Sequence, residues 1–145
     1  MKPLTQSEIK EIVEQMDCGM QCYRNIKTNK LLFFPADLDF DSDFAEFWQD
    51  EIDELENEFG DYQEIEKPES HDSFRSMEEF ASSNIIDEKF KDKLSTVLQQ
   101  KKPFANFKIC IDNSVYREEW FSFKNNWMQK RIKDQLETDL EFDDE

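Results

Sequence analysis

Glycine is almost missing: Gly19 and Gly60 are the only two in 145 residues. A phosphate-cradling loop or a dinucleotide fingerprint needs several glycines at fixed positions, because the backbone must approach the phosphate closely. Nucleotide binding by those routes is excluded. Histidine is present once, as His71, and cysteine three times, as Cys18, Cys22 and Cys110. Three residues separate Cys18 from Cys22, whereas zinc and redox motifs use a two-residue gap. An odd number of cysteines with no export signal predicts free thiols. No apolar run approaches the ~18 residues of a membrane-spanning helix, so no membrane partner is expected. Residues 1–6 lack the hydrophobic stretch of a signal peptide, and the expected location is the cytoplasm.

Bases are scarce in one segment. Residues 37–69 hold fifteen carboxylates against the single base Lys67, and net −14 of the chain's −17. Residues 1–36 net +1, residues 70–136 net +2, and residues 137–145 carry six acids and no base. Naked nucleic acid and anionic lipid would both be repelled by such a field, so direct nucleic-acid binding is not expected. A cationic protein surface or a divalent cation would be attracted.

Hydrophobic content is low and charged content high, each 37%, a combination that favours disorder. Fourteen phenylalanines and three tryptophans oppose it, because each buries a large apolar area. Ile9, Ile12, Val13 and Met16 repeat at helical spacing, and Thr5 with Glu8 forms a capping box. Gly19 stops that helix. Residues 21–25 and 31–35 read as a β-hairpin about Lys27-Thr28-Asn29-Lys30, since asparagine tolerates a left-handed turn. A third strand is expected at 62–66.

Between them, Phe44, Phe47, Trp48, Ile52, Leu55 and Phe59 form a helical stripe, with Glu46, Asp50, Asp53, Glu54 and Glu56 on the other side. Asp43 is the expected N-cap and Gly60 the expected C′ residue of this helix at 44–59. Further helices are expected around Phe74–Ala81 (capped by Asp72 or Ser73), Ile86–Leu98 (capped near Asn84 or Asp87), from Pro103 to Ile111, and from about Val115 to about Leu136. The last has two apolar arcs, one of Tyr116, Trp120, Phe123 and Trp127, the other of Phe121, Met128, Ile132 and Leu136.

The chemistry is less specific than the patterning. Asp37, Asp39, Asp41 and Asp43 resemble the start of a calcium loop, but no register supplies both the glycine and the distal glutamate that loop requires. They are minor candidates for a cation site, and a solvated acidic linker is the favoured reading. His71 sits in Glu69-Ser70-His71-Asp72-Ser73, which reads as a polar loop rather than a Ser–His–Asp arrangement. The bases of the C-terminal third alternate with acids, unlike a nucleic-acid face. No cofactor is expected.

Several segments have a joint pattern. They are the hairpin at 23–33, Tyr62-Gln63-Glu64-Ile65, Ser73-Phe74-Arg75-Ser76-Met77-Glu78-Glu79-Phe80, Phe104-Ala105-Asn106-Phe107-Lys108, and Trp120-Phe121-Ser122-Phe123. In order and approximate spacing they resemble uncharacterised protein family 0158, small acidic bacterial proteins, over roughly residues 9–136. The matching positions are Arg75, Met77, Glu79, Phe80, Phe104, Phe107, Lys108, Trp120 and Phe123. Thr28-Asn29-Lys30 stands where the family has Thr-Gly-Glu, so an acid is lost at the turn. The resemblance implies a recurrent domain and no mechanism.

The expected fold is α+β: a small antiparallel sheet of two or three strands with about five or six helices. One domain is expected over 1–136, with a disordered acidic tail at 137–145. The leading functional expectation is a non-enzymatic interaction or regulatory module that presents Glu46, Asp50, Asp53, Glu54 and Glu56 to a basic protein, or self-associates. The alternatives are a divalent-metal enzyme using carboxylates of 37–50 and a nucleic-acid mimic.

Overall fold

The computed structural model describes the backbone of residues 3–143 and the side chains of residues 3–137. Among them are six α-helices and one three-stranded sheet, an α+β architecture. The chain forms two compact units. One holds residues up to Lys67 together with the last helix from Gln129 onward; the other is Pro68–Met128.

The first unit is built on the sheet. Helix α1 (Gln6–Asp17) opens with the expected capping box: the Glu8 N–H donates to Thr5 Oγ1 and the Thr5 N–H donates to Glu8 Oε1. Gly19 follows it at φ +85°, a conformation that β-carbons disfavour. Strands β1 (Met20–Asn25) and β2 (Leu31–Pro35) pair antiparallel, with Asn29 left-handed in the turn at φ 64°. Strand β3 (Tyr62–Ile65) pairs with the other edge of β1, giving the order β2-β1-β3.

Pleating sorts the strand residues between two faces. Tyr23, Leu32, Phe34 and Tyr62 share one face, and they pack with Ala45, Ile52 and Leu55. Cys22 and Ile65 are buried on the opposite face. Helix α1 lies against β1 and buries Ile9, Ile12, Val13 and Met16. Arg24 is buried as well, at 1% exposure, a position that the sequence pattern does not announce.

The helix expected at 44–59 is divided. Asp43–Trp48 is a 3₁₀ turn, α2 is Gln49–Asn57, and Phe59–Asp61 is a second 3₁₀ turn. Ser42, not Asp43, precedes the first turn, and Gly60 lies inside the second rather than in a left-handed C′ position.

The second unit is helical. Helix α3 (Ser70–Ala81) begins earlier than expected, so His71 lies in its first turn and not in a loop. Asp72 and Ser73 are inside the helix; Glu69 is the N-cap, and its N–H donates to Asp72 Oδ2 at 2.9 Å. Helix α4 (Glu88–Leu98) is capped by Asp87, which accepts from the Phe90 N–H. Helix α5 (Pro103–Asp112) starts on proline, whose missing N–H is not needed there. Helix α6 (Arg117–Asp143) starts in this unit and ends in the first.

Met77, Phe80, Ile86, Leu94, Phe107, Ile111 and Trp120 form the core of the second unit. The two apolar arcs of α6 serve different stretches of the helix. Trp120 and Phe123 pack in the second unit, while Ile132 and Leu136 are buried in the part of α6 that belongs to the first. Phe121 departs from its arc and is half exposed, beneath the Arg117 guanidinium at 5.2 Å. The helix end expected near Leu136 lies further on, and the backbone of residues 137–143 is helical. The remainder of the tail expectation falls on side chains 138–145 and on residues 144 and 145, outside the described residues.

Candidate functional site

Phe44 and Phe47 do not face the core. They are 74% and 83% exposed, and Phe59 is 71% exposed. The stripe anticipated along 44–59 assumed a continuous 100° step. In a 3₁₀ turn residues i and i+3 eclipse each other. Phe44 and Phe47 therefore share one side, which is solvent, and Ala45 and Trp48 share another, which turns inward. Only Ile52 and Leu55 of the α2 stripe are fully buried.

Carboxylates surround these exposed rings in the chain. Asp43, Glu46, Asp50, Asp53 and Glu56 are all exposed. Pro35, Leu38 and Trp48 join Phe44 and Phe47 around a shallow recess of about 700 Å³, which Asp37 and Asp39 also border. The first unit thus presents an acidic surface with two unburied aromatic rings.

Glu54 differs from the other expected contact residues. Its Oε2 lies 2.7 Å from Lys30 Nζ, and its Oε1 accepts from Tyr62 OH at 2.9 Å. The Lys30 bond and then the Tyr62 bond hold its carboxyl below the usual range. Glu54 serves the fold of its own unit by joining the hairpin turn, β3 and α2. The lysine at the hairpin turn finds its partner there.

Asp37, Asp39, Asp41 and Asp43 do not converge. Asp39 Oδ1 accepts the Asp41 N–H at 2.9 Å and the Asp39 carbonyl accepts Ser42 OH at 2.6 Å, so Asp39 organises its own turn. Among the described residues no group of three or more His, Cys, Asp or Glu side chains could hold a metal ion. No helix among them is long and apolar enough to cross a membrane.

All nine positions on which the resemblance is read lie in the second unit. Phe80 meets Trp120 and Phe123 edge-on, each at 5.3 Å between centroids, and Phe107 meets Trp120 at 4.9 Å. Met77 joins this core. Glu79 accepts a hydrogen bond from Trp127 Nε1, and Arg75 is exposed. Five of the nine, Met77, Phe104, Phe107, Lys108 and Trp120, line one cleft of about 700 Å³. The motif spacing marks these residues in the sequence; the cleft they share is visible only when α3, α5 and α6 are assembled.

A family model matches residues 2–143, and its description is Uncharacterised protein family (UPF0158). No curated protein and no solved structure matches the chain.

Proposed function

The chain belongs to the Uncharacterised protein family (UPF0158), whose description carries no activity, and on that premise we propose that it is a protein-interaction module. Its contact surface is the acidic segment around the 3₁₀ turn Asp43–Trp48 and α2. The observation that carries this reading is the exposure of Phe44 and Phe47 among carboxylates. An isolated exposed ring needs no explanation, but two adjacent rings on one side of a turn, beside an apolar recess, mark a recognition surface. The partner is a basic protein surface with an apolar pocket. The rings supply contact area; the carboxylates steer the approach and set the salt dependence.

Asp50, Asp53, Glu46 and Glu56 remain the charged contact residues; Glu54 is reassigned to internal support. A nucleic-acid mimic would need carboxylates alone, and Phe44 and Phe47 have no counterpart in a phosphate chain. Affinity capture with quantitative mass spectrometry tests the reading, using the wild-type chain, F44S/F47S and D50N/D53N. Partners should be lost from both variants, and salt should weaken their capture by the wild type. If both variants retained the same partners as the wild type, the surface would be wrongly placed.

A further inference from the structure

A positively charged cleft lies within the second unit of a chain whose net charge is −17. Its wall carries three bases, Lys108, Arg117 and Lys124, against two acids, Glu69 and Asp112. Asp112 is already matched, because its Oδ1 lies 3.4 Å from Arg117 Nε. Among the described residues neither Lys108 nor Lys124 makes an ion pair or side-chain hydrogen bond. Two ammonium groups therefore border the cleft without a direct ion pair, and with Glu69 and Asp112 counted the lining nets +1.

Beside these, Ser70, Ser73 and Ser76 line one part of the cleft, and the other lining side chains are apolar. Met77, Phe107, Ile111 and Trp120 are buried and form the floor, while Phe104 and Phe121 are about half exposed at the rim. Arg117 is held over the Phe121 ring at 5.2 Å. The volume, about 700 Å³, is in the range of small-molecule sites, which combine an apolar wall with a few polar groups.

We propose that this cleft binds a small amphipathic carboxylate, its flat apolar body against Phe104, Phe121 and Trp120 and its anionic group between Lys108 and Lys124. An anion is selected because the local excess is positive. A body of aromatic or similar shape is selected because rings at the rim offer their faces and edges. A cation is rejected by the same two lysines.

Isothermal titration of the full chain with 1-naphthylacetate tests it, alongside the uncharged 1-naphthylacetamide and the cationic 1-naphthylmethylamine. The three probes share one body and differ in charge. The carboxylate should bind saturably, one per chain, about tenfold more tightly than the amide, with the amine weaker still. K108Q/K124Q should reduce carboxylate affinity about tenfold; Lys108 is exposed and Lys124 half-buried, and the variant should fold because glutamine keeps most of each stem. F44S/F47S should bind like the wild type. In NMR titration the Trp120 indole N–H should shift while that of Trp48 stays. Absence of saturable binding, equal binding of the amine, or indifference to K108Q/K124Q would overturn the assignment. So would binding of a peptide of residues 39–53 at the same lysines without any binding of naphthylacetate, which would make the cleft a dock for a second copy of the chain.

Discussion

Lys30 Nζ lies 2.7 Å from Glu54 Oε2, and Tyr62 OH donates to Glu54 Oε1 at 2.9 Å. One carboxylate thereby ties the hairpin turn and β3 to α2. The hydrogen bond to Glu54 raises the Lys30 ammonium pKa. Burial first, and the bond to Glu54 second, raise that of the Tyr62 phenol. Charge-assisted bonds of this kind contribute more than exposed ion pairs, because each carboxylate oxygen has a donor.

Replacing Glu54 with glutamine should lower stability by about 1 kcal/mol, whereas Glu56→Gln at an exposed site should change it by less than about 0.5 kcal/mol. The pH dependence has a definite sign. The folded pKa of Glu54 is depressed below its ordinary 4.5, so its contribution is present above that value and is lost as pH falls through the folded pKa. The gap between wild type and E54Q in urea unfolding should therefore narrow in acid. A gap that stayed constant would show that the carboxylate is not stabilised by its partners.

Phe44 and Phe47 should be dispensable for folding. The double variant F44S/F47S should retain stability to within about 0.5 kcal/mol, while Leu55→Ala should cost about 2–5 kcal/mol. Leu55 packs with Leu32, Phe34 and Ile52. Urea midpoints measured at one slope would decide it. A large loss in F44S/F47S would mean that the rings are buried after all and that the recognition surface does not exist.

The cysteines should differ in reactivity. Burial, with a smaller contribution from the Glu11 charge, pushes the Cys22 thiol up to about 12. Cys18 is exposed. Iodoacetamide at about pH 8 reacts only with accessible thiolate, so peptide mapping should find Cys18 modified and Cys22 untouched until the chain is unfolded. Native labelling of Cys22 at the rate of Cys18 would contradict its burial beneath α1.

Trp120 should dominate the second unit. It meets Phe80 at 5.3 Å and Phe107 at 4.9 Å. Trp120→Ala should cost about 3–5 kcal/mol in chemical denaturation, and Trp120→Phe clearly less, since it keeps a ring in the cluster. Equal losses for the two would mean that the ring contacts contribute nothing beyond the indole's own shape.

Much of the fold is legible in local signals. The capping box at Thr5 and Glu8, the left-handed Gly19 and Asn29, and Pro103 at a helix start each act within a few residues, and each lies where the pattern puts it. The break at Trp48–Gln49 was not legible. Phe44, Phe47 and Trp48 satisfy helical spacing as written, whereas in the tighter turn it is Ala45 that is buried, in one cluster with Leu32 and Phe34. Arg24 was hidden for a similar reason: its alternation with Cys22 puts it on a buried face once α1 is laid on β1.

The candidate sites divide along the same line. Charge segregation, the nine motif positions and the absence of glycine loops are properties of order along the chain, and they needed no coordinates. Which carboxylate is structural, which phenylalanines are unburied, and that Lys108 and Lys124 border one cleft across α5 and α6 were decided by tertiary structure alone. Periodicity records how often a residue type recurs, whereas exposure and charge pairing depend on which neighbour arrives from a distant part of the chain. That is why the sequence by itself determined an acidic α+β protein without nucleotide loops, and why only the packed units decided which of its side chains are exposed.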